Sequence, residues 1–316
     1  MRSRSASSDV PLRRRLFAVI STTSLVAVIA LPGAAVDEGL LVDLRFNGNH
    51  ADSAGGTSSI EVFGPCADPI PAPPDDLCND SSEFGSDAAG TYWRWESSNP
   101  RGGGFRLVTS RDLGETYTVG LRLRFDEVGL DGDANPWRKI IDYRDRVEDT
   151  GFYFYVGAIQ FYDLGTSDET YSPGELIDLL AVRSGTEGSS EGEFTVYVIG
   201  GDGALTEVLS VTDTTGESIP VSSGGGSLLG FFFDDTATSQ EATPGGQVYR
   251  LRIWDRALDP DELTGALDDA EEADDTEEVD DEDEEVDDGE DETDDDTVEE
   301  VAPPAEAVIA RPDFTG

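Results

Sequence analysis

Apolar and polar residues alternate along several stretches of this sequence, and this pattern constrains the fold more than any other feature. From Tyr117 to Phe125 every odd position is apolar, whereas the even positions are polar or glycine. A period of two residues is typical of a β-strand with one buried face. The pattern recurs at residues 194–198 and 249–254, and residues 152–156 and 229–233 are more continuously apolar. We therefore expect a strand at each of these places.

Short turn sequences rich in Gly, Asp and Ser separate the strands, for example at residues 148–151, 200–203 and 222–226. About a dozen short strands without long helices between them predict an antiparallel sandwich or barrel. One helix of about two turns is predicted after Asp259, because Pro260 follows it directly and Glu262 stands where a capping box needs it.

Both ends of the chain differ from the middle. Residues 1–35 have basic residues, then an apolar run from Leu16 to Leu31, then small residues, which is the order of a cleaved secretory signal peptide. The run falls short of the roughly 20 apolar residues that a spanning helix needs, so we expect no stable membrane span after signal cleavage. Residues 14–17, Arg-Arg-Leu-Phe, also fit the core of a twin-arginine signal, which leaves the export route open.

The C-terminal part is strongly acidic, since residues 268–300 contain 24 Asp or Glu and no Lys or Arg. Such a segment cannot bury enough apolar surface to offset its ordering entropy, and its carboxylates repel one another. We predict an acidic disordered segment at 268–300, a flexible C-terminal tail at 301–316 and one folded domain at 36–267. The acidic segment is either a solvated spacer or an arm that buffers calcium or contacts a cell wall.

The folded domain is itself acidic. Residues 36–267 contain 41 acidic and 15 basic residues, a difference of 26 negative charges. This balance excludes nucleic-acid binding through a basic face. It also predicts that salt stabilises the fold, because a shorter Debye length weakens self-repulsion. A saline habitat would explain such a composition.

Several segments resemble, in order, the laminin G-like, concanavalin A-like jelly-roll domains of exported bacterial proteins. Residues 39–46 resemble the opening strand of that family, residues 194–201 a central strand, and residues 246–258 the last strand before its short helix. The resemblance covers most of residues 38–265 and implies an all-β fold, an antiparallel jelly-roll β-sandwich. The Trp-His segment common in the family is missing from residues 175–181.

Known catalytic patterns are not found in residues 36–267. Glucanases of the same superfamily carry their two carboxylates on one strand as Glu-x-Asp-x-Glu, whereas Glu191 and Glu193 lack the central Asp. His50 is the only histidine, and no Ser or Cys has a plausible base. We predict no catalytic residues and a secreted or surface-attached recognition module that binds a glycan or another extracellular surface component. A glucanase-type hydrolase with unrecognised carboxylates and a purely structural surface protein are the alternatives.

Aromatic residues supply the candidate ligand site. Tyr92, Trp93 and Trp95 are the ligand-binding candidates, because Trp93 and Trp95 lie on the same side of a strand and two such indoles can stack on sugar rings. Tryptophan is equally a usual core residue. A second aromatic cluster poses the same ambiguity: Tyr153, Tyr155, Phe161 and Tyr162.

Paired carboxylates and a cysteine pair complete the candidates. Asp234 and Asp235 follow a buried strand, and with Glu241 they can converge on Ca²⁺, although solvated or backbone-capping carboxylates are the alternative. Cys66 and Cys78 are the only cysteines, and in an exported chain such a pair predicts a disulfide that closes a surface loop.

Overall fold

A computed structural model describes five stretches of the chain: residues 37–62, 83–95, 103–129, 136–237 and 245–268. The chain divides into two units, Met1–Asp268 and Asp269–Gly316, and every described residue belongs to the first. The predicted signal peptide, the cysteine pair, Glu241 and the tail beyond Asp268 lie outside the described residues. Within the described stretches, no helix has the length and apolar character needed to cross a membrane.

Strands dominate the described residues, which contain sixteen of them and one short helix. In chain order these are β1 (Leu40–Leu44), β2 (Ser59–Val62), β3 (Glu83–Asp87), β4 (Gly90–Trp95), β5 (Phe105–Val108), β6 (Tyr117–Phe125), β7 (Trp137–Asp142), β8 (Gly151–Tyr155), β9 (Ala158–Tyr162), β10 (Gly165–Thr170), β11 (Ile177–Gly185), β12 (Gly192–Ile199), β13 (Leu205–Asp213), β14 (Val221–Ser223), β15 (Gly226–Phe231), β16 (Gly246–Trp254) and α1 (Pro260–Leu263). The predicted all-β class is confirmed.

The strands form two eight-stranded antiparallel sheets. Sheet A has the order β13-β12-β11-β6-β16-β4-β3, and β1 also pairs with β16. Sheet B has the order β10-β9-β8-β7-β15-β5-β2, and β14 also pairs with β15. Neighbours such as β6 and β16 are far apart in the chain, so each sheet is completed by long-range pairing. The predicted antiparallel β-sandwich is confirmed.

Alternation within the strands determines which side chains fill the space between the sheets. Val119, Leu121 and Leu123 of β6 are 0% exposed, as the sequence pattern predicts. From sheet B, Phe152 and Phe154 of β8 join the same hydrophobic core. Burial of this many large apolar side chains is the main favourable contribution to folding, at about 25 cal/mol per Å² of apolar surface removed from water.

The C-terminal segment covers the other face of sheet A. Leu263 and Ala266 pack in a second buried cluster with Leu180, Trp254 and Leu258. The helix has the predicted capping box, because the backbone N–H of Asp259 donates to Glu262 Oε2 at 2.9 Å. It is four residues long, however, and the predicted two turns are wrong. The chain turns after Leu263, which lets Ala266 and Leu267 also reach the sheet and become buried.

Candidate functional site

Trp93 and Trp95, two of the predicted ligand-binding residues, lie in the hydrophobic core and are 0% and 1% exposed. Their rings stack on each other at 5.8 Å between centroids, and Trp95 also stacks on Phe232 at 4.0 Å. The two indoles do share one side of β4, but that side faces the other sheet. Tyr92 packs elsewhere, edge-on to Tyr249 at 5.5 Å. The predicted sugar-stacking role of Trp93 and Trp95 is therefore corrected, because no ring face is open to a ligand.

The predicted metal-binding carboxylates Asp234 and Asp235 are 1% and 0% exposed, so they are interior groups and do not lie on an exposed rim. The cation beside Asp235 is a lysine, since Lys139 Nζ lies 3.5 Å from Asp235 Oδ2. Among the residues that the structure describes, no three His, Cys, Asp or Glu side chains converge as metal ligands. Glu241 lies outside those residues, and the Ca²⁺ site stays a prediction.

A more promising surface is the side of sheet B that faces away from the core, which we call the outer face. On β8 and β9, Phe152, Phe154, Ile159 and Phe161 point into the core. Successive side chains of a strand alternate between faces, so Tyr153, Tyr155, Gln160 and Tyr162 lie on the outer face. This resolves the second aromatic cluster of the sequence: Phe161 is a core residue, and the three tyrosines share the outer face.

Trp137 of β7 is the centre of the aromatic side chains on this face. Its ring centroid lies 5.5 Å from that of Tyr153, 4.2 Å from that of Tyr155 and 5.2 Å from that of Tyr162. Tyr153 is buried, whereas Trp137, Tyr155 and Tyr162 are half-buried. We call these four residues the aromatic patch. Sequence reasoning overlooked Trp137, because only the pairing of Trp137 with Tyr155 across β7 and β8 brings it to the tyrosines.

A cleft of about 320 Å³ lies on the same sheet and combines charged, hydroxyl and aliphatic side chains. Its lining residues are Ser59, Ile60, Glu61, Arg106, Val108, Asp145, Ser223 and Leu228. Arg106 Nε donates to Glu61 Oε2 at 3.1 Å, and Arg106 Nη1 donates to Asp145 Oδ1 at 3.1 Å. The hydrogen bond with Glu61 raises the pKa of Arg106, so the guanidinium stays charged.

A buried cluster of charges, formed by Lys139, Asp142 and Asp235, lies on the outer face near the aromatic patch. All three side chains are 0% exposed, and Nζ of Lys139 lies 3.5 Å from one oxygen of each carboxylate. Burial raises the pKa of Asp142, and the nearby charge of Asp235 raises it further, although Lys139 opposes both effects. We call these three residues the lysine cluster.

Gly230 explains how the chain after β15 reaches the lysine cluster. A Cβ at this position would lie 2.3 Å from Cζ of Phe233, so a side chain here would collide with the tip of the Phe233 ring. The ring in turn lies 5.0 Å from the guanidinium carbon of Arg146. This packing directs the chain across the outer face and places Asp235 beside Lys139.

Comparisons with known proteins give little further information. No protein-family model matches the chain, and no curated protein matches it. Among solved structures, the botulinum neurotoxin serotype C1 binding domain is similar, with 13% identity and a TM-score of 0.47 over 72% of this chain and 51% of that one.

Two further similar structures are the binding domain of botulinum neurotoxin DC in complex with rat synaptotagmin II and the same domain in complex with SialylT. Both are 12% identical over 73% of this chain and 51% of theirs, with TM-scores of 0.46 and 0.45. This chain thus spans about half the length of these structures.

Proposed function

We propose that the protein is an exported, non-catalytic recognition module of the laminin G-like type, and that its ligand is a neutral glycan. The observation that carries this proposal is the aromatic patch, in which a half-buried indole is surrounded by three tyrosines on the outer face of sheet B. A glycan on a cell surface or in the extracellular matrix is the natural ligand for a secreted protein with such a surface.

The aromatic patch suits a sugar for two reasons. The C–H groups of a pyranose ring meet the flat face of an indole or phenol, and the half-buried Tyr155 and Tyr162 also carry hydroxyls that can bond to sugar hydroxyls. Trp137 is held by its contacts with Tyr153 and Tyr155, so it loses little conformational freedom when a ligand binds. A rigid aromatic residue with a partly exposed ring is the usual anchor of a binding surface.

The cleft beside β2 and β5 is a second surface of sheet B that offers polar groups to a glycan. Its volume lies at the lower end of the range for small-molecule sites, roughly 300 to 1,000 Å³. Arg106 and Glu61 offer donors and acceptors, and Val108 and Leu228 offer apolar contact to the ring carbons. Because the whole chain carries a net charge of -47, long-range repulsion disfavours polyanionic glycans and favours neutral ones.

A glycan array probed with the full chain tests this proposal, first in the presence of calcium and then with a chelator. Binding to neutral glycans is expected, and Trp137→Ala is expected to weaken it by at least about tenfold, which corresponds to about 1.4 kcal/mol. The matched control is Phe84→Ala, since Phe84 is an aromatic residue of sheet A that is 37% exposed. The control is expected to bind as the unchanged protein does.

Each outcome of the array distinguishes the proposed binding module from one of its alternatives. Equal binding by Trp137→Ala and the unchanged protein would refute the aromatic patch as the site. Shortened oligosaccharides after incubation would favour the hydrolase alternative, and binding to no glycan at all would favour the structural one. Loss of binding in chelator alone would support the Ca²⁺ site predicted at Asp234, Asp235 and Glu241.

A further inference from the structure

Lys139 is the only lysine in the chain, and its side chain is completely buried. A lysine in an exported acidic protein ordinarily keeps its ammonium group in water, where its hydration is most favourable. Here Nζ donates to the carbonyl oxygen of Thr150 at 2.7 Å and lies 4.3 Å from the ring centroid of Tyr153. These contacts place the amine at one fixed point beside two carboxyl groups.

The carboxyl groups of Asp142 and Asp235 are held differently. Oδ1 of Asp142 accepts the backbone N–H groups of Arg144 at 3.1 Å and Arg146 at 2.9 Å. Its Oδ2 is buried with no hydrogen-bond partner among the described residues, and it points toward Nζ of Lys139 at 3.5 Å. Asp235 Oδ1 accepts the backbone N–H of Ala237 at 2.8 Å, while its Oδ2 also lies 3.5 Å from Nζ.

Three ionisable groups in a dry interior are costly, because each charge loses its hydration. Burial disfavours the charged form of both groups, so a proton passes readily from the Lys139 ammonium to the Asp142 carboxylate 3.5 Å away. Burial raises the pKa of Asp142 in agreement with this. A protonated acid next to an amine and a second carboxyl group is also the arrangement that a condensation needs.

We propose that Lys139 and Asp235 condense to an intramolecular amide, an isopeptide bond, with Asp142 as the proton carrier. The fixed positions of amine and carboxyl group replace the encounter of two free reactants, and such proximity raises the rate of an amide-forming step by many orders of magnitude. The N–H of Ala237 stabilises the oxyanion that forms on Asp235 during attack.

The atoms and charges of the reaction balance within the cluster. The Lys139 ammonium gives one proton to the Asp142 carboxylate, and the neutral Nζ then attacks Cγ of Asp235. As the C–N bond forms, Nζ loses a second proton to the departing oxygen, and Asp142 returns the first proton to the same oxygen. One water leaves, one amide forms, and Asp142 ends as it began. No oxidant or cofactor takes part.

The product removes one positive and one negative charge from the interior and links two parts of sheet B. Lys139 belongs to β7, and Asp235 follows β15, which pairs with β7. The two residues are separated by 96 positions in the chain. The bond therefore keeps the region between them closed even when the fold is lost.

The single lysine makes the test direct. The full exported chain is reduced and denatured, its N-terminus is identified, and its intact mass is compared with the mass that its sequence requires. The denatured chain is then treated with an amine-reactive reagent. We expect a mass lower by one water, label at the N-terminal amine only, and a branched peptide that joins residues 139 and 235. Full mass with complete labelling of Lys139 would overturn the proposal.

Two further results distinguish the isopeptide bond from a succinimide and test the part played by Asp142. Loss of water with a fully labelled Lys139 would indicate an aspartyl succinimide and would also overturn the proposal. In Asp142→Asn, which removes the proton carrier and keeps the side-chain shape, we expect full mass and a labelled Lys139. An unchanged water loss in this variant would refute the role of Asp142.

The matched control is Asp178→Asn, because Asp178 pairs with Arg122 on sheet A, away from the lysine cluster. This control is expected to retain the bond completely. Loss of the bond in both variants would show that it depends on overall stability and not on Asp142.

Discussion

Nε of Arg250 lies 2.6 Å from Oδ1 of Asp43, and the two side chains are only 6% and 3% exposed. Arg252 shares the same carboxylate, at 3.2 Å from Nε to Oδ1. Asp43→Asn removes the negative charge that Asp43 places between two buried guanidinium groups, so we expect the free energy of unfolding to fall by about 3 to 5 kcal/mol. Urea unfolding at neutral pH measures the change.

The matched control for this variant is Asp126→Asn. Asp126 pairs with Arg94 at 2.7 Å, but its side chain is 41% exposed, so solvent screens the pair. We expect Asp126→Asn to lower the free energy of unfolding by less than about 1 kcal/mol. Similar costs for the two variants would mean that the interior ion pair adds nothing beyond a surface one.

Asp213 gives the fold a dependence on pH. Burial raises the pKa of this carboxyl group, but hydrogen bonds from the Ser218 hydroxyl and from the backbone N–H groups of Ser218, Gly216 and Glu217 outweigh burial and lower the pKa. A lowered pKa in the folded state stabilises the fold above the pH at which an unfolded Asp titrates, about 3.9. That stability disappears as the pH falls through the pKa of the folded state.

We therefore expect Asp213→Asn to cost about 1 to 3 kcal/mol at neutral pH, since its amide group cannot accept all of these hydrogen bonds. The difference between the unchanged protein and the variant is expected to shrink toward acid pH. Taking the difference at each pH cancels the titration of all other groups. If the difference in free energy of unfolding between the two proteins stayed constant down to acid pH, the lowered pKa of Asp213 would be wrong.

The disulfide between Cys66 and Cys78 stays a prediction from the sequence. Peptide mapping of the protein without reductant is expected to show the two residues linked. Closing a loop of this size stabilises the fold by roughly 2 to 3 kcal/mol, so reductant is expected to lower the thermal midpoint. Cys66→Ser is the control, because its midpoint is expected not to respond to reductant. Two free thiols in protein recovered without reductant would contradict the prediction.

The excess of acidic residues predicts that salt stabilises the fold. Because added ions shorten the Debye length and weaken repulsion, the thermal midpoint is expected to rise between low and molar sodium chloride. Sucrose at equal osmolality controls for effects that do not come from charge. A midpoint that stays flat in salt, or that rises equally in sucrose, would count against electrostatic stabilisation.

Patterns within one strand were predictable, because they need no knowledge of the partner strand. The alternation of β6 identified its buried residues correctly, and the spacing of Trp93 and Trp95 placed both indoles on one side of β4. Whether that side of β4 faces the core or the solvent was not predictable from the sequence. Trp95 faces the core because Phe232 stacks on it, and the two residues are distant in sequence.

The same limit applies to the charged residues. Arg250 and Arg252 alternate with apolar residues, as they would on a strand face in water, yet Asp43 of β1 and the C-terminal segment cover them. The lysine cluster also depends on contacts between distant residues. Lys139 and Asp235 meet only because β7 pairs with β15 and the chain then folds back over Gly230.

The unequal environments of the four tryptophans have an optical consequence. Trp93, Trp95 and Trp254 are at most 1% exposed, whereas Trp137 is half-buried in the aromatic patch. Indole emission shifts to longer wavelength in contact with water, so the long-wavelength edge of the emission spectrum comes mainly from Trp137. A ligand that covers the aromatic patch changes that edge and leaves the emission of the three interior indoles as an internal standard. The protein thus contains a built-in fluorescent reporter, read without any attached dye.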